Sequence, residues 1–187
     1  MSCDNGLLGG VTLILGGAAS GKSRYGQRLA EAQQGSLLYV ATARADDDEM
    51  ALRIERHRQV RGDRWQTLEV ACDLAGQLPD ASRGHAVILI DCVTLWLTNL
   101  LLGNEEDPAR VWSAVDAFVA SLDRMEAKVI MVSNEVGFSL VPEYPLGRLF
   151  RDLAGQVNQR LAERADHVCL VAAGLPLRLK PGNLHTH

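Results

Sequence analysis

The sequence has few aromatic residues, few cysteines and no long apolar run. Aromatic residues make up 5% of the 187 residues, and no stretch approaches the ~20 apolar residues that a membrane-spanning helix needs. The four cysteines, Cys3, Cys72, Cys92 and Cys169, are widely separated and form no C-x-x-C pair, which disfavours a zinc site and a disulfide framework. Reduced thiols and an N-terminus without the basic region of a signal peptide lead us to expect a cytoplasmic protein.

The sequence also lacks an excess of basic charge. Its net charge is −4, from 19 basic and 23 acidic residues, so it is a poor general binder of nucleic acid, and we expect no nucleic-acid partner. A composition of 47% hydrophobic and 22% charged residues excludes a disordered or collagen-like chain. We find no repeat, low-complexity tract or linker. The sequence therefore predicts one domain over residues 1–187, with flexible ends at 1–10 and 181–187.

Short apolar runs without polar alternation predict the buried strands of a parallel sheet. Five such runs are Val11–Leu15, Leu37–Ala41, Ala86–Ile90, Lys128–Val132 and Val168–Ala172, and Gln66–Val70 is a candidate sixth, peripheral strand. Helices are predicted between them at Lys22–Gln34, Asp47–Arg61 and Leu146–Arg164, with a further helix starting at Asp107–Pro108. Strands that alternate with helices predict an α/β fold with a doubly wound, mostly parallel sheet.

The first strand runs directly into a glycine-rich loop that precedes a helix. The loop reads Gly16, Gly17, Ala18, Ala19, Ser20, Gly21, Lys22, Ser23, which is G-x-x-x-x-G-K-S in the strand–loop–helix context that a P-loop requires. The backbone N–H groups of such a loop surround phosphate oxygens at a helix N-terminus. We expect Lys22 to reach the β- and γ-phosphates of a nucleotide and Ser23 to ligate Mg²⁺.

A P-loop commonly works with an acidic residue at the end of another strand. Asp91 follows the apolar run Ala86–Ile90 and is the candidate for holding Mg²⁺ through water or for contacting the nucleotide. The alternative is that Asp91 merely caps the helix that begins near Val93. The N-K-x-D and D-x-x-G segments of regulatory GTPases have no counterpart after Ser133 or Asp91. The P-loop and the strand-end acid therefore indicate a small P-loop phosphotransferase.

The segment Arg53–Arg61 places a histidine among basic residues. Arg53, His57 and Arg61 are spaced four apart and share one face of a helix. One interpretation is a solvated face balanced by nearby acids. The other is a catalytic nucleophile, since flanking guanidiniums lower the pKa of His57, keep the imidazole neutral and neutralise a polyphosphate. Spacing alone does not decide between them.

Five blocks of the sequence resemble one known family. They are GGAASGKS from Gly16, YVATA from Tyr39, DDEMALRIERHRQVRGDRW from Asp47, the segment Asp91–Leu101, and SNEVGFSLVPEYPLGRLFRDLAGQVNQRLAERAD from Ser133. On these blocks the chain resembles the bifunctional adenosylcobinamide kinase / adenosylcobinamide-phosphate guanylyltransferase family of cobalamin biosynthesis. The resemblance spans roughly residues 11–180.

The resemblance implies two reactions. The family phosphorylates adenosylcobinamide with ATP or GTP and then transfers GMP from GTP to that phosphate through a GMP-histidine, which corresponds to His57. Further nucleotide contacts would fall on Ala41, Thr42, Ala43, Arg58, Gln59, Val60, Arg61, Glu69 and Asp91. The resemblance also implies Mg²⁺, a corrinoid, ATP and GTP as ligands, and a homo-oligomer, with relatives suggesting a trimer.

Two positions depart from the family pattern. Gly62 stands where relatives often have proline, and Arg56–His57 stands where some have two histidines. The competing interpretations are a P-loop kinase of another small molecule, with His57 structural, and a nucleotide-sensing binding module.

Overall fold

The computed structural model describes residues 10–43 and 62–181. Its strands are β1 (Val11–Gly16), β2 (Leu37–Ala41), β3 (Trp65–Glu69), β4 (Val87–Asp91), β5 (Lys128–Asn134), β6 (His167–Ala172) and β7 (Leu175–Lys180). Its α-helices are α1 (Lys22–Glu31), α2 (Leu74–Ala81), α3 (Val93–Gly103), α4 (Pro108–Ser121) and α5 (Pro145–Arg164). Single 3₁₀ turns follow α4 at Leu122–Arg124 and β5 at Val136–Phe138.

The seven strands form one sheet in the order β3-β2-β4-β5-β1-β6-β7. Strands β1 to β6 are parallel, and β7 pairs antiparallel with β6. Strand β5 therefore lies between β1, which leads into the P-loop, and β4, which ends at Asp91. All three strands direct their carboxyl ends to the same edge, where parallel α/β sheets bind their ligands.

Side chains of the central strands alternate between two apolar cores, one on each face of the sheet. Ile14, Leu89 and Ile130 pack with Tyr25 and Leu29 of α1. The residues next to them in each strand pack on the opposite face of the sheet against α2, α3, α4 and α5. On that face, Trp96 and Phe118 form an edge-to-face pair with ring centroids 5.3 Å apart. The expectation of a doubly wound sheet with both faces covered is confirmed.

Most predicted elements occur within one to three residues of their predicted bounds. The peripheral strand exists as β3, and the helix predicted to start at Asp107–Pro108 is α4, where Asp107 accepts a hydrogen bond from Ala109 N at 2.9 Å. The first helix ends at Glu31 rather than at Gln34. The predicted helix Asp47–Arg61 lies outside the described residues, as do the terminal segments apart from Gly10 and Pro181.

Two elements were not predicted. Helix α2 contains Pro79 and Gly76, residues that usually interrupt helices, and it is held at its start by Asp73, whose carboxylate accepts from Gly76 N at 2.9 Å. Strand β7 alternates leucine with Pro176, Arg178 and Lys180 and lies at the edge of the sheet. Within the described segments, none of the helices combines the length and apolar character needed to cross a membrane.

Candidate functional site

The P-loop is a tight connection whose shape depends on small residues. Ala19 and Gly21 adopt left-handed backbone conformations, with φ of 54° and 94°, a region that costs glycine least. A Cβ at Gly16 would lie 2.6 Å from Val171 O and from Ser20 Oγ, so only glycine fits there. The turn between β6 and β7 supports the loop from outside, because Gly174 N donates to Ser20 O at 2.8 Å.

Lys22 is the first residue of α1, and its side chain folds back over the loop. It is 8% exposed, and its Nζ donates to Gly17 O at 3.0 Å. An ammonium group has three N–H donors, and the Gly17 bond is the one that Nζ makes within the described chain. The amine therefore lies at the mouth of the P-loop with donors left for phosphate oxygens.

Asp91 at the end of β4 faces two hydroxyl groups from different elements. Ser23 Oγ of α1 donates to Asp91 Oδ1 and Tyr39 OH of β2 donates to Asp91 Oδ2, each at 3.3 Å. Helix α3 is capped at Cys92 without a side-chain bond, so the alternative role of Asp91 as a helix cap is not what the structure shows. The structure therefore brings together Ser23 and Asp91, two residues for which the sequence predicts a role at the metal or the nucleotide.

The donor set around Ser23 fits Mg²⁺. Magnesium prefers oxygen ligands and is usually held by one or two protein groups together with water and substrate phosphates. Ser23 Oγ and Asp91 Oδ1 supply a hydroxyl and a carboxylate beside the P-loop. In the described part of the chain, no cluster of three or more His, Cys, Asp or Glu side chains offers an alternative metal site.

Thr42 joins the end of β2 to the start of α3. Its Oγ1 donates to Cys92 O at 2.7 Å and accepts from Cys92 N at 2.9 Å, and its carbonyl accepts from Asn99 Nδ2 at 2.7 Å. The Thr42 hydroxyl is therefore occupied by backbone. Of the neighbouring predicted contacts, Ala41 is buried and Ala43 is partly exposed.

Glu69 lies at the same level of the sheet as Asp91. Ala41 is in register with Glu69 on one side and with Asp91 on the other. Since neighbouring strands are ~4.8 Å apart, the Cα atoms of Glu69 and Asp91 are about 10 Å from each other. The predicted contacts of β2, β3 and β4 thus share one edge with the P-loop.

A buried polar network, which was not predicted, lies at the end of β5. Ser133 Oγ donates to Asn158 Oδ1 at 2.7 Å, and Asn158 Nδ2 donates to Asn134 O at 3.1 Å. Thr94 Oγ1 accepts from Asn134 N at 2.8 Å. These bonds fix the end of β5 between the P-loop and Asp91, where Asn134 is the last strand residue and Glu135 follows it.

Comparison with known proteins decides the family. The model of the family described as cobinamide kinase / cobinamide phosphate guanyltransferase matches residues 12–179. The chain belongs to this family.

Three curated relatives agree with this assignment. The chain is 45% identical to the bifunctional adenosylcobalamin biosynthesis protein CobP of Pseudomonas aeruginosa, over 90% of this chain and 96% of the relative. It is 41% identical to the protein of the same description, CobU, of Escherichia coli and 44% identical to that of Salmonella typhimurium, each match covering 91% of this chain and 99% of the relative.

A kinase or a guanyltransferase binds a nucleotide together with an acceptor. The part of the chain that the structure describes contains the P-loop, the motif that binds nucleotide phosphates. Lys22, Ser23 and Asp91 meet at one edge of the sheet. His57, Arg58, Gln59, Val60 and Arg61 lie outside the described residues.

Cys92 also lies at this edge of the sheet, and a cysteine thiolate can act as a nucleophile. Burial raises the pKa of the Cys92 thiol above its usual value, and the negative charge of Asp91 raises it further. The sulfur is therefore a protonated thiol at neutral pH and a poor nucleophile. Among the described residues at the site, the groups available for catalysis are therefore hydroxyl, carboxylate and ammonium groups.

Proposed function

We propose that this chain carries out both reactions of its family in cobalamin biosynthesis. It first phosphorylates the aminopropanol hydroxyl of adenosylcobinamide with ATP or GTP. It then transfers GMP from GTP to the new phosphate, giving adenosylcobinamide-GDP and pyrophosphate. The observation that carries the proposal is the convergence of Lys22, Ser23 and Asp91 at a P-loop, in a chain of this family.

The kinase step uses the P-loop to position the γ-phosphate and to stabilise its charge. The acceptor hydroxyl oxygen forms a bond to the γ-phosphorus while the bridging bond to the β-phosphate breaks. Lys22 neutralises the charge that develops on the bridging and non-bridging oxygens. Ser23 would hold Mg²⁺ directly and Asp91 would hold it through water; the bound metal supplies further charge neutralisation on the phosphates.

The guanylyl step uses His57 as the nucleophile. A neutral imidazole nitrogen forms a bond to the α-phosphorus of GTP, and pyrophosphate leaves. An oxygen of cobinamide phosphate then attacks the same phosphorus and releases the imidazole. Arg58 and Arg61 would neutralise the polyphosphate. On the family resemblance, Ala41 to Ala43, Glu69 and Asp91 would contact the nucleotide.

The further expectations are part of the same proposal. Mg²⁺ is the metal, adenosylcobinamide is the corrinoid, the protein works in the cytoplasm, and it assembles as a homo-oligomer, with a trimer as the expected state. The single P-loop serves both reactions by presenting the α- or the γ-phosphate to a different partner.

Labelled nucleotides test the division between the two reactions. With GTP labelled at the α-phosphate, the wild-type protein is expected to retain acid-labile label, and His57→Ala is expected to lose it while keeping phosphorylation of cobinamide. His85→Ala is the matched control, because His85 is bonded to Ala81 O and to Gln66 on another part of the sheet, and it should keep the label.

Three results would contradict the proposal. Retention of α-label in His57→Ala places the nucleophile elsewhere. A wild-type protein that phosphorylates an acceptor without releasing pyrophosphate is a plain kinase. A protein that binds GTP and consumes none of it in the presence of cobinamide is a nucleotide sensor.

A further inference from the structure

We infer that Glu135 is the base that accepts the proton of the acceptor hydroxyl in the kinase reaction; this rests on the proposed function. Glu135 follows the last residue of β5, the strand that separates the P-loop strand from the strand of Asp91. The inference draws on its position, on the bonds that orient its carboxylate, and on the roles already taken by the other acids at this edge.

The position of Glu135 is tied to the P-loop by backbone contacts. Gly16 is in register with Asn134, and Glu135 N donates to Gly16 O at 3.1 Å. On the other side of β5, Asp91 is in register with Val132. Glu135 therefore extends three residues beyond the level of Asp91, towards the space that the P-loop borders.

The carboxylate of Glu135 is oriented without being neutralised. Oε1 accepts from Gly137 N at 3.3 Å and Oε2 accepts from Asn158 Nδ2 at 3.5 Å. Both bonds are long and therefore weak. Within residues 10–43 and 62–181, Glu135 forms no ion pair with a basic side chain. A carboxylate held in this way has acceptor capacity left for the proton of a substrate hydroxyl.

The side chain of Asn134 indicates that a polar ligand binds beside Glu135. Its Oδ1 is buried and has no hydrogen-bond partner among the described residues. A buried acceptor without a donor costs free energy. A substrate hydroxyl or a water bound to the nucleotide's metal would supply the missing donor beside Glu135.

The other acids at this edge lie beside the P-loop serine or further from the P-loop strand. Asp91 accepts from Ser23 and Tyr39, which assigns it to the metal side of the nucleotide. Glu69 is on the edge strand β3, four strands from β1 in the sheet order. Glu135 is the described carboxylate whose strand is adjacent to the P-loop strand at its carboxyl end.

The step balances without any further reactant. As the acceptor oxygen bonds to the γ-phosphorus, its proton moves to the Glu135 carboxylate, and the nucleoside diphosphate leaves with the electrons of the broken bond. Glu135 then returns the proton to solvent. The guanylyl step needs no such base, because the attacking oxygen belongs to a phosphate that is already ionised at neutral pH.

This difference between the two steps provides the test. Glu135→Gln keeps an oxygen to accept from Gly137 N but removes the base. We expect kcat for cobinamide phosphorylation to fall at least ~100-fold, as is usual when a general base is lost, with KM for the nucleotide within about threefold. Guanylyl transfer to preformed cobinamide phosphate should also stay within about threefold.

Two further variants complete the test. Glu135→Asp restores a carboxylate and should recover part of the kinase rate. Glu143→Gln removes the same charge from an exposed position eight residues further along and should leave both reactions within about twofold. Kinase activity of Glu135→Gln at the wild-type rate, or an equal loss of both reactions, would overturn the inference. A wild-type protein without either reaction would instead refute the proposed function.

Discussion

Asp91 shows how one side chain links three elements of the fold. Its two carboxylate oxygens accept from Ser23 of α1 and from Tyr39 of β2, while its own strand is β4. The sequence predicts Ser23 as a ligand of Mg²⁺ and Asp91 as a residue that holds the metal through water or contacts the nucleotide; their direct hydrogen bond is a finding of the structure. The contact of Tyr39 with Asp91 was not predicted, because it depends on β2 and β4 being neighbours in the sheet, which a strand pattern does not specify.

The cysteines provide a prediction at the scale of single residues. Cys72 is exposed, whereas Cys92 and Cys169 are buried, and burial together with Asp91 raises the pKa of Cys92. Since the thiolate is the reactive form, iodoacetamide should label Cys72 at least ~10-fold faster than either buried thiol in the folded protein. Peptide mass spectrometry after timed labelling measures the three rates.

The pH dependence of the labelling has a definite sign. The Cys92 rate should rise only at alkaline pH, because a raised pKa delays formation of the thiolate. Equal rates for Cys72 and Cys92 in the folded protein would contradict the description of this site.

At the scale of elements, the sequence predicts the central strands and the edge strand β3 but not the opposite edge strand, β7. Central strands are buried on both faces and so are continuous apolar runs. Strand β7 alternates leucine with other residues, as strands do, but it contains Pro176, which disfavours the prediction of a strand. Helix α2 has the same problem because of Pro79. The turn between β6 and β7 nevertheless supports the P-loop through Gly174, a contact that only the structure reveals.

The functional site likewise has features that the sequence predicts and features that it does not. The P-loop could be predicted because its residues have a fixed spacing, and Asp91 because it follows an apolar strand. The network of Thr94, Ser133 and Asn158 could not, since its members come from α3, β5 and α5 and meet only through the packing of these elements. The roles of His57 and Arg58 to Arg61 stay predictions, because these residues lie outside the described part of the chain.

The junction of β1 and the P-loop supplies a prediction at the scale of elements. Gly16→Ala places a Cβ 2.6 Å from the Val171 carbonyl oxygen, so backbone must move. We expect a loss of ~1–3 kcal/mol in the free energy of unfolding, as is typical of overpacked positions. Urea denaturation of the nucleotide-free protein measures it.

Gly17 is the matched control for Gly16. It is the next residue, and a Cβ there would meet no atom within 4 Å. Gly17→Ala should therefore change the free energy of unfolding by no more than ~0.5 kcal/mol. Two variants of equal stability would show that the close contact at Gly16 does not constrain the loop.

At the scale of the whole molecule, two apolar surfaces remain open in the described chain. Phe138, Leu140, Val141 and Tyr144 are 65–92% exposed, and they follow Glu135 and the end of β5. Leu175, Leu177 and Leu179 lie at alternate positions of the edge strand β7 and are 44–73% exposed. Apolar patches and open edge strands are typical of association surfaces.

We expect these surfaces to support the proposed homo-oligomer. Light scattering should give a mass that is a multiple of 20.3 kDa, three times that mass for a trimer. Leu177→Lys or Leu140→Lys should shift the protein towards the monomer, since a charge in an apolar interface is unfavourable. The matched substitution Ala109→Lys, on the exposed start of α4, should not. A wild-type monomer at working concentrations would contradict this expectation.

The most direct test of the account is the intact mass of the protein after incubation with GTP and Mg²⁺, followed by location of any adduct. The account predicts one added GMP per chain on His57, absent when EDTA removes the metal and absent in Lys22→Ala. An unmodified protein in the presence of GTP and Mg²⁺, or a GMP carried by a different residue, would contradict it.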